Sequence, residues 1–181
     1  MIIELIISGG QTGADSAGLE AAYQFGIKTS GFAPKNYQTA DGPNEKLLKD
    51  RYGLGEHGKK GYKSRTYGNV KYGEGTIRCC VDFYSAGEIC TMNAIKHFKK
   101  PHFDIYLLNP PSIDRFIIWL LRYNITILNV AGNTQKTREV DIYSLTFDYI
   151  TKTLKTLKAM STSEEYYARF TLGKRTDKNT K

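Results

Sequence analysis

This sequence predicts an α/β fold, a doubly wound and mainly parallel sheet with helices on both faces. Three observations carry that reading. Short apolar runs alternate along the chain with segments of helical periodicity, the pattern of a parallel sheet covered on both sides. Three of those runs break into glycine turns, at Gly9-Gly10, Gly87 and Gly132. In a doubly wound sheet such turns open at one edge, where they line a single crevice. Finally, 181 residues with 40% hydrophobic content suit one domain with a substantial core. The expected domain spans residues 1–160, followed by a basic, flexible tail over 161–181.

The first strand is the run Ile2, Ile3, Leu5, Ile6 and Ile7, interrupted only by Glu4. It breaks into Gly9-Gly10-Gln11-Thr12-Gly13-Ala14-Asp15. Thr12 with Asp15 three residues on is a capping-box pattern, so a helix should start here. Leu19, Ala22 and Phe25 give that helix its apolar face, and Gly26 stands where a C-terminal cap belongs.

Residues 28–32 form a short candidate strand. Residues 33–62 then read as a long loop rich in Gly, Lys, Tyr and Asn, and loops of that length tend to be functional. Its Tyr37, Tyr52 and Tyr62 either stack on a planar ligand or anchor the loop to the domain. A helix over about 64–71 ends at Gly73 and Gly75, and residues 76–81 form a strand. Tyr84-Ser85-Ala86-Gly87-Glu88 is a second strand-to-helix turn. The helix it opens should turn Ile89, Met92, Ile95 and Phe98 inward, with Lys96, Lys99 and Lys100 near its C-terminal dipole.

Pro101 stops that helix, and residues 103–108 continue as strand. Pro110-Pro111-Ser112 introduces an amphipathic helix with Ile113, Phe116, Ile117, Leu120 and Leu121 on one face. Asn124 ends it. Residues 125–130 form the last strand, breaking into Ala131-Gly132-Asn133, and a final helix covers about 140–159 with Ile142, Leu145, Tyr149, Ile150 and Leu157 on one stripe.

Composition narrows the function classes. No apolar stretch approaches the roughly 20 residues of a membrane span. The N-terminus lacks a basic region followed by an apolar core. A cytoplasmic protein without a membrane partner is expected. Cys79, Cys80 and Cys90 form no disulfide framework, and His57, His97 and His102 show no metal-ligand spacing, so no metal site is expected. Cys90 is the one thiol near a candidate ligand loop. The net charge is +8, of which residues 152–181 hold eight basic and three acidic side chains. That tail attracts nucleic acid weakly at most, and no zinc-finger, RRM or KH signature accompanies it, so nucleic acid is not the expected partner.

A strand, a glycine turn and a helix N-terminus bring free amides and a positive dipole end to one point. The Gly9–Asp15 loop is therefore expected to hold a phosphate of a nucleotide-like ligand. Neither Gly-x-Gly-x-x-Gly nor Gly-x-x-x-x-Gly-Lys-Ser/Thr occurs, so the motif is neither the dinucleotide fingerprint nor the P-loop.

The run Gly9 to Asp15 resembles the opening motif of the molybdenum carrier family, described as circularly permuted relatives of the YpsA group. Ala33-Pro34-Lys35, Asp41-Gly42-Pro43, Arg65-Thr66, Asn69-Val70, Gly75-Thr76-Ile77 and Leu128-Asn129-Val130-Ala131-Gly132 follow in order, over about residues 3–151. The resemblance implies a Rossmann-like fold within the group that includes LOG-type phosphoribohydrolases. It implies a homo-oligomer, dimer or tetramer, that binds molybdenum cofactor, a pterin (molybdopterin) carrying a phosphate. Carried over by position, Gly9, Gly10, Gln11, Thr12, Gly13, Asp15, Lys35, Arg65, Asn69, Gly87, Glu88, Thr91, Asn129 and Gly132 would surround the ligand. The chain departs from the family pattern at Ser16, where a basic residue is common, at Ala86-Gly87-Glu88 in place of Gly-Gly-Thr, and at Asn133-Thr134 in place of Pro-Arg.

Two functions lead, ahead of a third in which the basic tail makes the protein a nucleic-acid accessory factor. In the first, a carrier binds a phosphorylated heterocycle without chemistry, with Lys35 and Arg65 neutralising phosphate. In the second, a LOG-like enzyme cleaves the N-glycosidic bond of a nucleotide, with Glu88 or Asp15 as the candidate catalytic carboxylate.

Overall fold

The computed structural model describes residues 2–57, 61–135 and 137–162. Five parallel strands form the central sheet: β1 (Leu5–Ser8), β2 (Lys28–Ser30), β3 (Gly75–Cys80), β4 (His102–Tyr106) and β5 (Ile127–Gly132), in the order β2-β1-β5-β3-β4. Five helices accompany them: α1 (Ala14–Gln24), α2 (Tyr62–Tyr72), α3 (Ala86–Phe98), α4 (Ile113–Arg122) and α5 (Ile142–Thr162). The chain leaves β1 toward one sheet edge and β3 toward the other, and β5 returns between them. That reversal of winding places a crevice at the carboxyl ends of β1, β5 and β3. The α/β architecture, parallel sheet and helices on both faces agree with the reading of the sequence.

Two apolar layers flank the sheet. On one face, Ala21 and Ala22 of α1, Phe116, Ile117 and Leu120 of α4, and Ile142, Ile150, Leu154 and Leu157 of α5 pack on Ile6, Ile77, Ile105, Leu128 and Val130. On the other, Val70 of α2 packs on Ala94 and Ile95 of α3. All six residues of β3 are buried, as a central parallel strand requires. In α4 the expected stripe is realised, and Ser112 caps the helix by accepting a hydrogen bond from the Arg115 amide at 3.4 Å.

Three local expectations are corrected. Thr12 does not cap α1: Gly13 occupies the cap position at φ 98°, with no side-chain cap bond. Asp15 instead reaches back to accept from the Gln11 amide at 3.3 Å and turns inward. In α3 Met92, Ile95 and Phe98 pack inward as expected, joined by the buried Glu88, Thr91 and Ala94, whereas Ile89 is 49% exposed. Only Ile89 departs from the stripe, because the first turn of α3 borders a polar crevice and its later turns meet apolar core.

Residues 33–62 are not a structureless loop. Phe32–Ala33 pairs with Gly55–Glu56, Gln38–Thr39 with Gly42–Pro43, and Lys46–Arg51 forms a short helical turn. Tyr37, Leu48, Tyr52 and Leu54 close a small core with Ala33 and Leu19 of α1. The Tyr52 hydroxyl donates to Glu20 at 2.5 Å and Arg51 donates to both Glu20 oxygens at 2.8 and 2.9 Å, fastening the segment to α1. Tyr37 and Tyr52 are thus anchors, and only Tyr62 is left to face a ligand. Of the expected tail, residues 163–181 lie outside the described residues.

Candidate functional site

The crevice at the strand ends deepens into a cavity of about 550 Å³. Gly9, Gln11 and Asp15 line it from the first turn, Arg65 and Asn69 from α2, Gly87, Glu88 and Thr91 from α3, and Asn129 and Gly132 from β5. Ten of the fourteen residues expected around a ligand therefore share one wall system. Gly10, Thr12 and Gly13 do not line it, and Lys35 is exposed outside it. Lys63, Thr66, Tyr62 and Cys90 line it as well. Of these, Lys63 escaped the sequence reading and Thr66 entered it only within a matching motif, because a lysine and a threonine on a helix of weak apolar pattern carry no signal of direction.

Three amides around the first glycine turn have protein acceptors. The Ala14 amide donates to the Asn133 carbonyl at 3.1 Å, Ser16 to Gln11 at 3.0 Å, and Gln11 to Asp15. The turn also serves close approach. A Cβ on Gly9 would stand 1.4 Å from Nη1 of Arg65 and 2.7 Å from Oδ2 of Asp15. Only glycine leaves room for that ion pair, in which Arg65 donates to Asp15 at 3.2 Å. Burial pushes the Asp15 carboxyl above its ordinary range, against the pull of Arg65 and the Gln11 amide. Nε of Arg65 is buried without a hydrogen-bond acceptor.

Several lining side chains already have protein partners. Asn69 accepts from the Phe32 amide at 2.8 Å and donates to its carbonyl, pinning the Phe32 strand to α2. Asn129 donates to Thr76 at 3.1 Å, Thr91 to the Gly87 carbonyl at 3.0 Å, and Gln11 to the Gln38 carbonyl at 2.9 Å. Asn133, a residue the sequence reading noted only as a departure, ties the turn after β3 to β5. Its Oδ1 accepts from the Val81 and Asp82 amides and its Nδ2 donates to the Asp82 carbonyl, all at 2.8 Å. At Gly132 a Cβ would stand 2.1 Å from the Cys79 carbonyl, so the strand ends close up as they do only with glycine.

The second turn brings open amides to the cavity wall. Ser85 caps α3 by accepting from the Glu88 amide at 3.4 Å, which leaves the first-turn amides of Ala86 and Gly87 without intrahelical acceptors at the cavity wall. A Cβ on Gly87 would meet nothing within 4 Å. Glu88 lies behind them, 2% exposed, with Oε2 3.9 Å from Nη1 of Arg78 and without a hydrogen bond. Arg78 is held by Asp104, which accepts from its Nε at 2.8 Å and from its second amino group. Burial pushes the Glu88 carboxyl up to about 7, opposed by a hydrogen bond with Cys80 and by Arg78.

The groups with unmet hydrogen-bonding capacity at the cavity thus comprise the α3 N-terminus, Nε of Arg65, Lys63 and Oε2 of Glu88. Tyr62, 53% exposed, stands at the rim with its ring centroid 5.7 Å from the Arg65 guanidinium. Among the described residues no three His, Cys, Asp or Glu side chains gather to hold a metal ion, and no helix is long and apolar enough to cross a membrane.

No curated protein matches the chain. A solved structure from Syntrophus aciditrophicus SB, described as "Putative molybdenum carrier protein", is similar at 30% identity over 84% of this chain and 95% of that one, with a TM-score of 0.74. Residues 6–154 match the model of the circularly permutated YpsA SLOG family. With the match spanning all five strands and most of the helical layers, the chain belongs to that family.

Proposed function

We propose that this protein binds a small phosphorylated heterocycle, with molybdenum cofactor as its cargo. The observation that carries the reading is the convergence of the open α3 N-terminus, Lys63 and the Arg65 guanidinium on one cavity. Amides at a helix N-terminus bind oxyanions with the dipole in their favour, and a guanidinium adds charge-assisted hydrogen bonds. The phosphate is assigned to Ala86 and Gly87, with Tyr62 covering the heterocycle. The similar protein named as a molybdenum carrier supports this cargo. Native mass spectrometry of the purified protein, followed by denaturation and analysis of what is released, tests the reading. Release of a phosphorylated pterin with molybdenum is expected; release of an unphosphorylated compound would overturn it.

The raised Glu88 carboxyl favours a second reading, N-glycosidic cleavage of a nucleotide with Glu88 as acid. Incubation with AMP separates the two. A carrier leaves AMP intact, whereas adenine appearing with wild type and not with Glu88→Gln would establish the enzyme.

A further inference from the structure

We propose that Glu88 makes oxyanion binding in this cavity proton-coupled: the carboxyl takes up a proton as the anion settles on α3 and expels the anion when that proton leaves. The inference rests on the anion subsite proposed above. Three features of the geometry carry it. Glu88 sits in the first turn of the helix whose N-terminus holds the anion, and it lines the same cavity. Its side chain is 3% exposed, so water screens its charge poorly. Its Oε2 has no hydrogen-bond donor, and the one cation on its far side, Arg78, stands 3.9 Å away and is bonded to Asp104.

The surrounding charges do not relieve the conflict. From β3, Arg78 and the Cys80 thiol favour the carboxylate. Asp15 of α1 and Asp104 of β4 oppose it. Cys79 and Cys90 are also within its electrostatic reach, and burial raises both thiols, which keeps them neutral. Lys63 and Arg65 of α2 face the cavity, where Arg65 is paired to Asp15. A doubly charged anion beside a buried carboxylate costs Coulomb energy that a single proton removes. Because the carboxyl titrates at about 7 before any anion binds, that proton is available near neutral pH.

Sulfate is the probe, because its charge is constant across this range. Calorimetric titration of the full chain at pH 6 and pH 8 should show wild-type affinity falling about tenfold, the change in protonated fraction of a group titrating near 7. Glu88→Gln should bind sulfate with the same affinity at both pH values. Wild type titrated at pH 7 in two buffers of different ionisation enthalpy should take up about half a proton per sulfate, a readout that requires no variant. Equal wild-type affinity at the two pH values, the same fall in Glu88→Gln, or zero proton uptake would each overturn the coupling while leaving the anion subsite intact. No sulfate binding at either pH would overturn the coupling and the subsite together.

Discussion

Gly9→Ala isolates the least ordinary contact in the cavity. The new methyl carbon would stand 1.4 Å from Nη1 of Arg65, 2.4 Å from its Cζ and 2.7 Å from Oδ2 of Asp15. Gly9 is not in the left-handed region, so alanine brings no backbone strain and the collision alone is measured. The guanidinium must leave, stranding Asp15 on the cavity wall. Removing one partner of a buried pair costs ~3–5 kcal/mol. Burial already pushes Asp15 toward its neutral form, which softens the loss, so about 3 kcal/mol is expected. Urea unfolding followed by the fluorescence of Trp119, the single tryptophan, reads the change. In an Arg65→Ala background only Oδ2 of Asp15, the end of a side chain then free to turn aside, still crowds the methyl, and Gly9→Ala should cost less than ~1 kcal/mol. A loss below about 1 kcal/mol in the wild-type background, or an equal loss in both, would refute the reasoning.

Other consequences are as specific. Glu88 ordinarily titrates at 4.5 and is raised to about 7 in the fold, so the folded state holds a proton that the unfolded chain releases. Stability should therefore fall as pH rises from about 4.5 to 7. Glu88→Gln should remove that slope and gain up to ~3 kcal/mol above pH 7, checked by denaturation at pH 5 and 8. Asn133→Ala strips the Val81 and Asp82 amides of a shared acceptor and should cost about 2–4 kcal/mol in urea unfolding. Lys63→Ala should weaken sulfate binding about fivefold, the upper end for an exposed charge, whereas Lys35→Ala, outside the cavity, should change it less than about twofold.

Much of the fold was legible because the chain states it in simple periodicities. The apolar run around Ile6 has no alternation, which identifies a strand buried on both faces, and the stripe of α4 meets one apolar layer. The glycine turns marked the sheet edge that bears the cavity. What failed did so where side chains answer to something other than apolar core. Ile89 is exposed because Glu88 and Thr91 claim the inward face beside the cavity. Thr12 and Asp15 match a capping pattern, yet Asp15 answers to Arg65, fifty residues away in sequence. Lys35 lies in a matching motif, but the small core of Tyr37, Leu48 and Tyr52 carries its segment outside the cavity. Nothing local to Asn133 announces that it bridges two strand ends, since its partners lie more than fifty residues back.

The most direct test of where the anion sits is an amide-resolved titration with pyrophosphate by nuclear magnetic resonance. The Ala86 and Gly87 amides should shift most, with Gly10, Thr12 and Gly13 nearly unmoved. Largest shifts at the first glycine turn, with α3 silent, would contradict the assignment of the anion to α3.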